Sequence, residues 1–202
     1  MSAEPESKAA LRNTYQALRL GLAPQTRARE TAATVALLQR LLGELTAQGG
    51  PGAPALGSYW ANGPELDLGA LHQWWWAQGG MLYLPRSLPG GQLSWHAVGD
   101  AAQLVRGRHG LLEPQAQAPL GMPASTVLLV PGLAFTVDGG RLGQGGGYYD
   151  RFLPSHPGPS VGIGFACQRA DDLPRATHDQ AVSLVVLGGQ LWERGQPRST
   201  VA

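Results

Sequence analysis

Apolar positions along the chain fall into two patterns, one with a helical period and one of short unbroken runs. After Ser7, whose hydroxyl suits a helix cap, Leu11, Tyr15, Leu18 and Leu22 recur at spacings of four, three and four, which predicts a first helix. A second helical pattern follows Pro24, with Val35, Leu38, Leu42 and Leu45 as its buried side, and ends in the breaker cluster QGGPGAPALG. The runs LGSYW, MLYLP, QLSWHAV, STVLLVP, SVGIGFA and AVSLVVL read as strands, and DLGALHQWWWAQ reads as a helix between the first two. Apolar strands separated by helical patterns predict an α/β fold with a mostly parallel sheet covered on both faces.

Composition narrows the picture. The 202 residues, 43% of them hydrophobic, are enough for one packed core, so we expect a single domain over 1–195 and a frayed tail over 196–202. A net charge of +1 provides no field for gathering a phosphate backbone or an anionic membrane, which excludes a broad nucleic-acid-binding surface. Cys167 is the single cysteine, so there is no internal disulfide and no cysteine metal cluster. The opening MSAEPESKAALR lacks the apolar core of a signal peptide, and no apolar run approaches a membrane span. The expectation is a soluble cytoplasmic protein with no membrane contact and no obligate protein partner.

The densest chemistry lies in RLGQGGGYYDRFL, Arg141 to Leu153, a few residues beyond the strand STVLLV. In open α/β sheets ligands bind past the carboxyl ends of the strands, so the position suits a site. The loop is not a P-loop, because no lysine follows any of its glycines, and Tyr148 stands where a dinucleotide fingerprint needs its third glycine. The physical reading is independent of those templates. Glycines at 143, 145, 146 and 147 let backbone N–H groups approach an anion, and a helix opening at YYDRFL would turn its positive end the same way. Arg141 and Arg151 supply charge, Asp150 suits a divalent cation between phosphates, and Tyr148 and Tyr149 offer flat faces to a ring. On spacing alone, a tightly turned loop whose tyrosines merely pack accounts for the pattern equally well.

Other residues have plain structural readings. Trp74, Trp75 and Trp76 sweep about 200° of a helix, which favours core and helix-packing roles with at least one ring near the surface. Cys167 follows an apolar strand without an evident histidine partner and reads as a structural thiol. Histidines 72, 96, 109, 156 and 178 have no zinc spacing. Glu113, before a proline, suits the closing of a turn, and Lys8 and Arg12 by themselves read as a solvated helix face.

The stretch VPGLAFTVDGGRLGQGGGYYDRFL, Val130 to Leu153, resembles the signature of the 5-formyltetrahydrofolate cyclo-ligases. Weaker agreements follow in order along the chain: KAALR at 8–12, PELD at 64–67, LPR at 84–86, HGLLEP at 109–114, GFACQ at 164–168 and LPRATHD at 173–179. The resemblance implies a three-layer α/β/α domain. It also implies ATP- and magnesium-dependent closure of 5-formyltetrahydrofolate to 5,10-methenyltetrahydrofolate. By the same resemblance Lys8, Arg12 and the stretch Arg141, Leu142, Gly143, Gln144, Gly145, Gly146, Gly147, Tyr148 and Tyr149 bind ATP, and Asp150 holds magnesium. Trp60, Glu65 and residues Gln144 to Tyr148 border the folate, with Arg141, Tyr148 and Arg151 as the catalytic candidates. Two positions depart from the family pattern. Thr136 stands where an aspartate is usual, and Ser183 where many members carry a second acid linked to magnesium, with Asp179 a nearby substitute. They leave a non-catalytic folate- or nucleotide-binding relative as the alternative.

Overall fold

The structure, a computed structural model, describes residues 7–47, 55–107, 110–115, 118 and 120–198. The side chain of Leu45, the Gly/Pro cluster over 48–54 and His109 lie outside that set. In chain order the elements begin with α1 (Lys8–Leu20), α2 (Pro24–Ala47), β1 (Ala55–Gly57), α3 (Gly69–Ala77), β2 (Met81–Ser87) and β3 (Leu93–Val98). Next come β4 (Leu104–Arg106), β5 (Leu112–Pro114), β6 (Val127–Pro131), β7 (Ala134–Phe135), β8 (Arg141–Leu142) and α4 (Tyr148–Phe152). The chain closes with β9 (Ser160–Gly164), β10 (Leu184–Leu187), β11 (Gln190–Glu193) and β12 (Gln196–Arg198).

Eight strands form one sheet in the order β12-β11-β10-β9-β6-β1-β2-β3. The five strands from β10 to β2 run parallel, and the edges β3, β11 and β12 are antiparallel. This is an α/β fold, with the parallel centre that unbroken apolar runs demand: Leu128, Leu129 and Val130 of β6 are fully buried. One face is covered by α2 and α3, through Val35, Leu38, Leu42, Leu71 and Trp75. The opposite face has a thinner cover, built from Phe135, Tyr149, Phe152 and Leu153 against Trp95, Val185 and Trp192.

Several local expectations change. LGSYW is a strand only to Gly57, and Ser58, Tyr59 and Trp60 leave the sheet at its carboxyl edge. The expected tail does not begin as a frayed end: Gln196–Arg198 pair with β11 as the outermost strand. The tight connections before and after β11, Gly188-Gly189 and Arg194-Gly195, have positive φ at both central residues. That is the geometry two-residue hairpins require, and it folds the chain end back onto the sheet. In α1, Leu11 and Tyr15 pack against Ala134, Leu142, Ala170 and Leu173, whereas Leu18 is 47% exposed. That packing sets α1 against the β7–β8 hairpin. Trp75 is buried and Trp74 and Trp76 are half-buried, with the Trp75 and Trp76 indoles donating to the carbonyls of Met81 and Val98. Cys167 is half-buried beside the core and unpaired, and burial pushes its thiol up. Among the described residues no helix is long and apolar enough to cross a membrane.

Candidate active site

The loop from Arg141 to Gly147 is a wall with a cavity on each side. The larger cavity, about 460 Å³, opens at the carboxyl ends of β1, β2 and β6 and is lined by Tyr59, Trp60, Glu65, Pro131, Tyr148 and Tyr149, among others. The smaller, about 440 Å³, lies between that wall, α1 and the segment Ala176–Asp179. Arg141, Gly143, Gly146, Gly147 and Asp150 border both. Each volume falls within the range of small-molecule sites.

The wall is thin because it is largely glycine. Gly147 has φ 65°, and a Cβ built there would stand 2.8 Å from the Arg151 guanidinium. The loop is braced from outside: Arg12 Nε donates to the Gly143 carbonyl at 3.0 Å, Arg151 Nε to the Gly91 carbonyl at 2.9 Å, and a second Arg151 nitrogen to the Gly146 carbonyl. Arg151 is therefore an anchor joining the loop to the turn between β2 and β3. Helix α4 is only five residues long. So short a helix carries little of a macrodipole, and anion binding falls to the loop N–H groups and the cations around them.

The smaller cavity is the charged one. Lys8, Arg12, Arg141 and Arg151 line it together with two carboxylates, Asp150 and Asp179. Each carboxylate has a cation partner. Arg141 Nη2 donates to Asp150 Oδ1 at 2.6 Å, and Lys8 Nζ donates to Asp179 Oδ2. Burial raises the Asp179 carboxyl, but Lys8 and the Ala176 N–H outweigh it and hold the group below the usual range. Arg141 retains a buried Nε without a partner, an unmet donor at the seam of the cavities.

The larger cavity is mostly apolar with sparse polar groups. Glu65 accepts from the Asn62 N–H at 2.9 Å and from Gln144 Nε2 at 3.2 Å, which ties the β1–α3 loop to the glycine wall. Burial raises its carboxyl against those hydrogen bonds and the Arg19 charge. Tyr149 lines this cavity and not the smaller one. Its hydroxyl is buried without a partner, and burial raises its pKa.

The loop thus brings together the residues expected at the site but sorts them. Lys8, Arg12, Leu142, Gly145 and Arg151 lie on the smaller side; Trp60, Glu65, Gln144, Tyr148 and Tyr149 lie on the larger. By sequence Asp179 reads only as a substitute for the acid absent at position 183, and Glu113 reads as structural. Asp179, in LPRATHD, faces the same cavity as Asp150, and Glu113, in HGLLEP, is buried on the larger cavity while accepting from the Ser87 N–H at 3.1 Å. For Glu113 the available signal was its place inside an ordered family match. Ser183 and Thr136 line neither cavity: Ser183 Oγ lies 3.3 Å from Ser160 Oγ, and the Thr136 hydroxyl donates to Asp138.

Fold and site define an α/β protein with two small-molecule cavities that share one glycine wall. The model of the 5-formyltetrahydrofolate cyclo-ligase family matches residues 4–188, and the chain belongs to that family of enzymes. It is similar to the 5-formyltetrahydrofolate cyclo-ligase of Escherichia coli strain K12, 34% identical over 136 residues that cover 64% of this chain and 75% of the relative. The Haemophilus influenzae cyclo-ligase is 29% identical over 137 residues, covering 64% and 73%. Among solved structures, the Aquifex aeolicus 5,10-methenyltetrahydrofolate synthetase superposes with a TM-score of 0.79 at 28% identity, covering 96% of each chain. The Mycoplasma pneumoniae synthetase, at 20% identity, shares the fold with a TM-score of 0.68 over 89% of this chain and 98% of that one.

Proposed function

We propose that the protein closes 5-formyltetrahydrofolate to 5,10-methenyltetrahydrofolate, consuming ATP, with the folate in the larger cavity and the triphosphate in the smaller. The reading rests on one observation: a single glycine wall separates an apolar cavity holding Glu65 from a cationic one holding Lys8 and Arg12. The formyl group is amide-like, so its oxygen leaves poorly. In the proposed reaction that oxygen attacks the γ-phosphorus and ADP departs; N10 then attacks the activated carbon, phosphate leaves, and N10 gives up its proton.

The chain's own contribution is to position and neutralise. Glu65 suits the N–H donors of a pterin, and Trp60 and Tyr148 suit its faces. Bare backbone at Gly146 and Gly147 lets the formyl oxygen and the γ-phosphate approach each other across the wall. Arg141, with its unpaired Nε, is suited to the charge developing on the transferring phosphoryl group.

Magnesium fits the donor set. Among the described residues no group of three His, Cys, Asp or Glu forms a protein cage, but Asp150 and Asp179 share the charged cavity. One or two carboxylates with substrate phosphates and water is how this cation is commonly held. Bound there, it would neutralise phosphate charge, with Asp150 and Asp179 as its protein ligands.

Near-ultraviolet absorbance of purified protein with 5-formyltetrahydrofolate, ATP and magnesium tests the proposal. The conjugated methenyl product is expected only when all three are present. Folded protein that binds folate yet forms no product would support the non-catalytic relative instead.

A further inference from the structure

Outside the residues assigned above, one buried titratable group is in contact with the cavity wall. His72, on α3, is 1% exposed, and its Nε2 lies 2.8 Å from the hydroxyl of Ser58, itself fully buried just past β1. Nδ1 is buried without a partner. A bare lone pair costs less than a buried unbonded N–H, which assigns the tautomer with hydrogen on Nε2, donating to Ser58. Burial lowers the histidine to about 4 against a smaller opposing effect of Asp67, so the ring is neutral at ordinary pH.

One bond and close packing fix the plane of the imidazole, and Trp60 rests on it. The two ring centroids are 5.7 Å apart with planes inclined by 29°, and Trp76, one turn further along α3, leans on His72 at 6.3 Å. Trp60 depends on this support because it stands between two cavities. It borders the larger cavity and also a separate cavity of about 390 Å³, lined by Ala61, Gly63, Gln73 and Trp76, among others. An indole without a backing ring would have room to turn away from the substrate side.

We propose that His72, oriented by Ser58, is a positioning residue that presets the Trp60 indole as a stacking wall for the flat heteroaromatic ring of the folate. The inference rests on the reading of the larger cavity given above and adds the device that holds its wall in place. Preset walls favour binding because less side-chain freedom is lost when the ligand arrives.

A double-mutant cycle on folate binding tests it, with direct titration of 5-formyltetrahydrofolate and, separately, of ATP. An aromatic pair contributes about 0.5–1.5 kcal/mol, so His72→Ala should weaken folate binding by up to about tenfold and leave ATP affinity within about twofold. His72→Phe, which restores a face for Trp60, should recover most of the loss. In a Trp60→Ala background, His72→Ala should have no further effect. Equal losses in the presence and absence of Trp60, or a parallel loss of ATP affinity, would overturn the inference. If His72→Ala does not fold, Ser58→Ala carries the same cycle, with the same coupling to Trp60 expected and simple additivity overturning it. Native protein that binds no folate would instead defeat the reading of the cavity itself, so the two failures are distinct.

Discussion

Arg141 Nη2 lies 2.6 Å from Asp150 Oδ1, and the pair stands where the two cavities meet. A second pair, Lys8 with Asp179, lies across the smaller cavity. Both carboxylates are thus neutralised by cations suited to phosphate. Under the proposed function Lys8 and Arg141 would serve the phosphates, and Asp150 and Asp179 would hold the metal.

Asp150→Asn keeps the side chain's shape and removes its charge. Turnover is expected to fall about 100-fold, with folate affinity little changed and the melting temperature near that of the native protein. Steady-state rates across a magnesium titration check this. Near-normal turnover at saturating magnesium would remove Asp150 from the metal role.

Glu65→Gln should act on one substrate only. Hydrogen bonds to a charged group contribute about 1.5–3 kcal/mol, so the KM for folate should rise roughly 10- to 100-fold. The KM for ATP should not move, because Glu65 does not border the charged cavity. Equal changes in both constants would undo the assignment.

Lys8→Ala should give the reverse pattern: about a tenfold rise in the KM for ATP with the folate constant unchanged, measured in the same assay. Lys8 borders only the smaller cavity, so an effect confined to folate would contradict the sorting of the two sites.

Gly147→Ala tests the backbone of the wall. A left-handed φ costs an L-residue about 1–2 kcal/mol, and the new methyl would push against Arg151, which can swing away only by releasing the Gly146 and Gly91 carbonyls. A lower denaturation midpoint with an unchanged m-value is expected, together with weaker binding of both substrates.

His72 makes the fold sensitive to acid. Its folded-state pKa, lowered from 6.5 to about 4, lies below that of the unfolded chain, which takes up the proton first as pH falls. The histidine's contribution is intact above about pH 6.5 and is lost between there and pH 4, amounting to roughly 3 kcal/mol. Denaturant unfolding of native protein and His72→Phe at pH 7 and pH 4.5 should show a smaller acid loss in the variant. Identical losses would show that His72 does not titrate on unfolding.

The sequence by itself determined the parts whose physics is local. Helical spacing, unbroken apolar runs and four glycines before an acid are properties of neighbouring residues, and they specified α1, the parallel strands and the bare backbone of the loop. The family resemblance gave Lys8, Arg12, Glu65 and Asp150 their expected company. Only the tertiary structure decided which side of the wall each residue faces. Glu65 meets Gln144 across 79 positions, and Lys8 meets Asp179 across 171. Spacing cannot encode such pairings, because they depend on the order in which strands enter the sheet and on how α1 packs against β7 and β8. The edge strand β12 and the His72–Trp60 stack arise the same way. A two-residue turn and a helix face acquire their meaning from what the rest of the chain brings against them.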